Sequence, residues 1–296
     1  MSSIINEYKA YLALEKSLSG NTIEAYMADL QKLTDYCADR QIEPVSASMS
    51  DIEDFVFCLG KQMNNARTEA RIISGIRSFY KFLLYTRRIE DDPTRLIDLP
   101  RLGIHLPEVL TLDEINRMVS AIDLSHPQGQ RNRAIIEMLY GSGLRVSELV
   151  SLRRSDIYPD EGYMRILGKG SKQRLVPISG EALKRLRLWE QDRQQLDIKP
   201  EYADTEFLNR YGRKLTRAMI FTIVRQLARD AGIEKTISPH TLRHSFATHL
   251  LQNGANIMAI SALLGHESVG TTQIYTHLDI RELRNEILRC HPMNKT

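Results

Sequence analysis

The chain has 296 residues, 42% of them hydrophobic and 26% charged, with a net charge of +3. That is length for two ordinary domains and the composition of a soluble globular protein. No run approaches the ~20 apolar residues of a membrane span, and no signal-peptide core opens the sequence, so a cytoplasmic protein without a membrane partner is expected. Cys37, Cys58 and Cys290 lie far apart, which argues against a disulfide framework and leaves each as a small apolar or bystander residue. Charge is uneven: residues 1–105 carry 13 Lys and Arg against 15 Asp and Glu, and residues 106–296 carry 27 against 22. The basic excess in the second part suits a polyanionic partner.

Residues 1–100 read as helices joined by short turns. Asn21 with Glu24, and Ser50 with Glu53, have capping-box spacing. Asn65 is expected to cap a helix reaching about Arg88, with Ile72, Ile73, Ile76, Phe79, Tyr80, Leu83 and Leu84 on one face. Arg67, Arg71, Arg77, Lys81 and Arg88 fall on the opposite face, where Glu69 is the one acid between Lys61 and Arg88. A face of nearly one sign reads as a phosphate-facing surface rather than a merely solvated one.

The stretch 101–110 holds proline and glycine and reads as a linker, so a second domain covers 111–296. Thr111 with Glu114 forms a further capping box. A helix around Arg131–Tyr140 stops at Gly141-Ser142-Gly143, and a short one follows over Arg145–Leu152. Tyr163–Leu167 and Arg174–Ile178 are β-like runs joined by Gly168-Lys169-Gly170-Ser171-Lys172-Gln173. Ser179 caps a helix to about Gln195, and Phe207–Leu208 is a candidate third strand. Helices follow near 216–231, 240–253, 257–264, 270–276 and 280–289. The fold class is therefore mainly α in two domains: a helical bundle, then a mainly helical domain with a small antiparallel sheet.

Ser238-Pro239 opens the helix that carries the most unusual side chains. Leu242, Phe246, Ala247, Leu250 and Leu251 share half of its wheel, and Arg243 projects into the middle of that half. His249 falls on the polar side. An arginine stays charged and is costly to bury unpaired. Arg243 thus calls for an anion, either a phosphate or an internal carboxylate. His240 and His244 have zinc-ligand spacing, but Thr241 stands where a metalloprotease has glutamate, so no metal is expected. Lys169 is not in a Walker A loop, which disfavours ATP, and Ser245 lacks a nucleophile elbow.

Taken together, Arg145 in GSGLRVSEL, Lys169 in LGKGSKQR, His240 and Arg243 in SPHTLRHSFATHLL, and His266 and Tyr275 in LLGHESVGTTQIYTH resemble the tyrosine recombinases in order and spacing. The likeness is greatest to the Xer branch, with EDDP at 90–93 and HPM at 291–293 in support. The resemblance implies a SAM-like core-binding domain followed by a catalytic domain ending in a helix exchanged between protomers. It implies Tyr275 as nucleophile forming a 3′-phosphotyrosyl bond. Arg145, Arg243 and His266 would contact the phosphate oxygens, Lys169 would act as general acid and His240 as partner for the tyrosine proton, with Glu148 holding Arg145 and Lys172 near DNA. No cofactor is implied. The implied partners are duplex DNA at a dif-like site, a second Xer-type recombinase in a tetramer, and a DNA translocase as activator. The alternatives are a mobile-element integrase with the same chemistry and a non-catalytic DNA-binding relative.

Overall fold

The structure is a computed structural model that describes residues 2–62, 65–100, 108–168, 173–265 and 280–294. The chain divides into two compact units, Met1–His105 and Leu106–Thr296.

The first unit is built from α1 (Ser2–Leu14), α2 (Gly20–Asp39), α3 (Met49–Gln62) and α4 (Ala66–Tyr85). Tyr8, Leu12, Leu30, Leu33, Ile52, Phe55, Ile72, Phe79 and Leu83 form its core. Asn65 caps α4 as expected, its Oδ1 accepting from the N–H groups of Arg67 and Thr68. The other two caps lie two residues before the expected ones. Ser19 accepts from Thr22 N–H to open α2, and Ser48 and Asp51 form the reciprocal pair that opens α3. Repeated polar residues offer overlapping frames for a capping box, and the preceding turn decides among them.

The second unit holds α5 (Leu112–Ser120), α6 (Gly129–Gly141), α7 (Val146–Ser151), α8 (Gly180–Arg193), α9 (Arg217–Asp230), α10 (Pro239–Gln252), α11 (Ile257–Leu264) and α12 (Ile280–Cys290). Thr111 and Glu114 make both halves of their capping box, and Ser179 and Ser238 cap α8 and α10. The expected helix at 270–276 lies outside the described residues. Among the described residues, three antiparallel strands, β1 (Ile157–Tyr158), β2 (Tyr163–Leu167) and β3 (Gln173–Pro177), run in the order β1-β2-β3. The third strand is thus Ile157–Tyr158 and not the expected Phe207–Leu208, where Leu208 makes only an isolated bridge to Lys214. Both Phe207 and Leu208 are fully buried instead.

The core packs α6 against α8 and α10 and is closed by α12. Trp189, the single tryptophan, is buried on α8 and donates its indole N–H to Glu206 O at 3.1 Å. Leu283, Ile287 and Cys290 of α12 are buried in this chain's own core. An apolar stripe finds its nearest cover, and here α10, α11 and β3 supply it in cis.

Residues 108–110, expected to be linker, belong to this unit. Leu110 is fully buried, its N–H donating to Ser245 Oγ at 2.9 Å, and Lys235 Nζ donates to Val109 O and to Glu114.

Candidate active site

The arginines singled out in the sequence converge at the end of α11. Gly143 makes this possible with a left-handed backbone, φ +61°, tucked against the Phe246 ring where a Cβ would approach to 2.6 Å. The turn leaves Gly143 O facing Arg243 Nη1, which donates to it at 2.6 Å, and brings Arg145 to the start of α7. Glu148, one turn into α7, accepts from the Arg145 main-chain N–H at 2.8 Å and from its Nη1 at 2.9 Å. This local pair is the one anticipated from the spacing.

A third arginine, unassigned in the sequence, completes the cluster. Arg174 on β3 grips Glu148 with both ends of its fork, Nη1 to Oε1 at 2.8 Å and Nη2 to Oε2 at 2.9 Å. Its signal lay in strand parity. In the register that pairs Met164 with Val176 and Ile166 with Arg174, position 174 shares the buried face of the sheet. An arginine in the inward phase of a strand demands a buried acceptor.

The three guanidinium groups also cap three consecutive carbonyls at the C-terminus of α11. Arg174 Nε donates to Leu263 O at 3.1 Å, Arg243 Nη2 to Leu264 O at 2.5 Å, and Arg145 Nη2 to Gly265 O at 2.8 Å. These are the orphan acceptors of a helix end, where the macrodipole favours cations. Glu148 Oε2 lies 3.8 Å from Arg243 Nη1, so three cations share this carboxylate. Burial raises the Glu148 carboxyl, but hydrogen bonds and charge from Arg174, then Arg145, outweigh it and hold the group below the usual value. Burial, with Arg145 beside it, lowers Arg243 to about 10 against the pull of Glu148, which leaves it cationic at neutral pH. Arg243 is 9% exposed and Arg145 32%, so the cluster reaches the surface through Arg145. Among the described residues one carboxylate meets three arginines, so the arrangement can bind an anion.

His240 and His244 are both exposed on α10, His240 beside the Phe221 ring. His249, expected on the polar side, is buried: its Nδ1 is 2.8 Å from Tyr140 Oη, since α6 covers that side. Lys169, Lys172, His266 and Tyr275 lie outside the described residues, with His266 following Gly265 directly in sequence.

Three arginines of the basic face of α4 have partners within the first unit. Arg71 grips the buried Asp29 of α2 bidentately, Arg88 pairs with Glu7 of α1, and Arg77 donates to Ile97 O. The acids that its own sequence lacks come from other helices. Arg67, Arg71, Lys81 and Arg88 are exposed and Arg77 is half-buried.

Residues 108–282 match the phage integrase family, and residues 5–86 match the phage integrase N-terminal SAM-like domain. The tyrosine recombinase XerD of Listeria monocytogenes is 39% identical over 295 residues, covering 99% of each chain. That of Staphylococcus epidermidis is 40% identical over 296 residues, again 99% of each. Among solved structures, XerH recombinase bound to a difH substrate before cleavage is 25% identical, covers 89% of this chain and 78% of its own, and superposes with a TM-score of 0.67.

The chain belongs to the phage integrase family of tyrosine recombinases. It is a site-specific recombinase that cuts and rejoins DNA through a covalent tyrosine intermediate, by chemistry that in this family needs neither metal nor ATP.

Proposed function

We propose that Arg145, Lys169, His240, Arg243, His266 and Tyr275 form the active site. The observation that carries this reading is the arginine cluster, with Arg243 and Arg145 held on the carbonyls of Leu264 and Gly265 immediately before His266. Tyr275 Oη attacks the scissile phosphate in line. The 5′-oxygen leaves with a proton from Lys169, and the tyrosine proton passes to His240. Negative charge growing on the non-bridging oxygens is met by Arg145, Arg243 and His266, the two arginines already held by protein acceptors before the phosphate arrives. The phosphotyrosyl bond conserves the energy of the phosphodiester for rejoining. Glu148 keeps Arg145 in position.

The substrate is duplex DNA at a dif-like site, and the role is resolution of chromosome dimers in the cytoplasm before cell division. Residues 1–100 act as the core-binding domain, with Arg67 and Lys81 of α4 toward phosphate and Lys172 adding a contact from the second domain. The full assembly is a tetramer with a second Xer-type recombinase, triggered by a DNA translocase. In it α12 leaves its own core for the equivalent groove of a neighbour. The XerD relatives support this reading.

A nicked suicide duplex with a dif-like site tests the chemistry. Wild type should form a covalent protein–DNA adduct and Tyr275→Phe none; an adduct with the phenylalanine variant would overturn the assignment. Arg243→Lys should also fail, because lysine keeps the charge but not the fork.

A further inference from the structure

Arg174 belongs to none of the roles above, yet it is the most heavily engaged arginine of the cluster. Its Nη1 and Nη2 hold both oxygens of Glu148, and its Nε holds Leu263 O. All three nitrogens thus serve protein acceptors, and the side chain is 15% exposed. It is built to hold other groups rather than to meet a phosphate. Those groups lead to the reacting centre in two ways. Glu148 anchors both the main chain and the guanidinium of Arg145. Leu263 O belongs to the same terminal turn of α11 as the carbonyls that receive Arg243 and Arg145.

We propose that Arg174 is a positioning residue for strand cleavage: it fixes Glu148 and the last turn of α11 together, and so sets the spacing between Arg145 and Arg243. The inference rests on the reading of those two arginines as the phosphate clamp. The position is rigid because β3 is hydrogen-bonded to β2 along its length and Val176, two residues on, is fully buried. The turn that carries Gly143 and Arg145 is tied to the same strand, since Ser142 Oγ donates to Pro177 O. A lysine could not replace Arg174, because one ammonium cannot span two carboxylate oxygens and a carbonyl in a fixed plane. Among the lowering influences on the Glu148 carboxyl, Arg174 stands first, ahead of Arg145.

The test compares two DNAs in the covalent-adduct assay with the full chain. One carries the ordinary scissile phosphodiester; the other carries a methylphosphonate there, in which a methyl group replaces a charged non-bridging oxygen. Removing that charge weakens the need for a guanidinium clamp, so a residue acting through the clamp matters less on the second DNA. On the phosphodiester, Arg174→Ala should lose about 10²–10³-fold in cleavage rate while DNA affinity changes by less than about threefold. On the methylphosphonate its deficit against wild type should shrink at least about tenfold, in parallel with Arg145→Ala. Arg174→Lys should follow alanine and guards against failure of the smaller variant to fold. Adding Arg174→Lys to Glu148→Gln should cost little beyond Glu148→Gln alone.

An equal deficit on both DNAs would show general structural damage and overturn the proposal. So would near-normal cleavage by Arg174→Ala, recovery by Arg174→Lys, or additive losses in the double variant. If Arg145→Ala gains nothing from the methylphosphonate, the clamp reading itself fails. If Arg145→Ala gains and Arg174→Ala does not, only the role of Arg174 fails.

Discussion

Gly143 is the point where backbone geometry, core packing and the arginine cluster meet, and Gly143→Ala should damage all three. A left-handed backbone at φ +61° costs a side-chain-bearing residue about 1–2 kcal/mol. The new Cβ would stand 2.6 Å from Cδ1 of Phe246, a fully buried ring that cannot step aside, and 3.1 Å from Leu264 Cδ2. Overpacking of that kind costs about 1–3 kcal/mol. Together the two effects come to about 2–5 kcal/mol, or roughly 4–20 °C in the melting temperature of a unit this size. The strain acts on the residue whose carbonyl receives Arg243 Nη1, so cleavage of a suicide duplex should fall about tenfold or more even below the melting temperature. Calorimetry with a cleavage time course measures both. Gly180→Ala is the control: among the described residues, nothing beyond its chain neighbours and its own helix comes within 4 Å of where a Cβ would stand, and its φ is not positive. That variant should be neutral or up to about 1 kcal/mol stabilising. A Gly143→Ala protein that melts within about 1 °C of wild type would refute the reasoning.

Glu148→Gln should destabilise by about 3–5 kcal/mol at neutral pH, because it leaves buried arginines without their shared anion. The folded carboxyl lies below its unfolded value of 4.5, so its stabilisation is present above that pH and is lost as pH falls through the folded value. The gap between wild type and variant in denaturant titrations should therefore close in acid; a gap that widens there would contradict the ion cluster. His291 should show a second acid dependence. Burial lowers it from 6.5 to about 4, so the unfolded chain takes up the proton first and stability drains as pH falls across that window, by about 3 kcal/mol in all. His291→Phe should flatten that part of the pH–stability curve, and an unchanged slope would count against it. Ser245→Ala strands the buried Leu110 N–H and should cost about 1–3 kcal/mol by chemical denaturation, whereas no loss would mean the N–H finds another acceptor.

What the sequence revealed and what it hid divide along a physical line. Interactions closed within one turn were legible: the caps at Asn65, Thr111, Ser179 and Ser238, and the Arg145–Glu148 pair, need only a few neighbouring residues. Interactions set by distant chain were not. His249 looked solvent-facing until α6 covered it, and the basic face of α4 looked unbalanced until Asp29 and Glu7 arrived from α2 and α1. Arg174 falls between these cases. Its inward phase was readable from the alternation along β3, but its partners lie 26 and 89 residues away. The carbonyls of Leu263, Leu264 and Gly265 carry no side-chain signal at all, though they organise the cluster.

The buried indole of Trp189 has a practical consequence. It is the chain's one tryptophan and it sits in the core of the second unit, so intrinsic tryptophan emission observes that unit and is blind to the first. Its neighbour in the fold, Glu206, has a carboxyl raised to about 7 by burial and by Glu190, while the Glu206 carbonyl holds the indole N–H. The protein thus carries a built-in optical probe of its catalytic half, placed beside a group that changes charge near neutral pH. Unfolding followed at that wavelength and by far-ultraviolet dichroism should separate wherever the two halves melt independently.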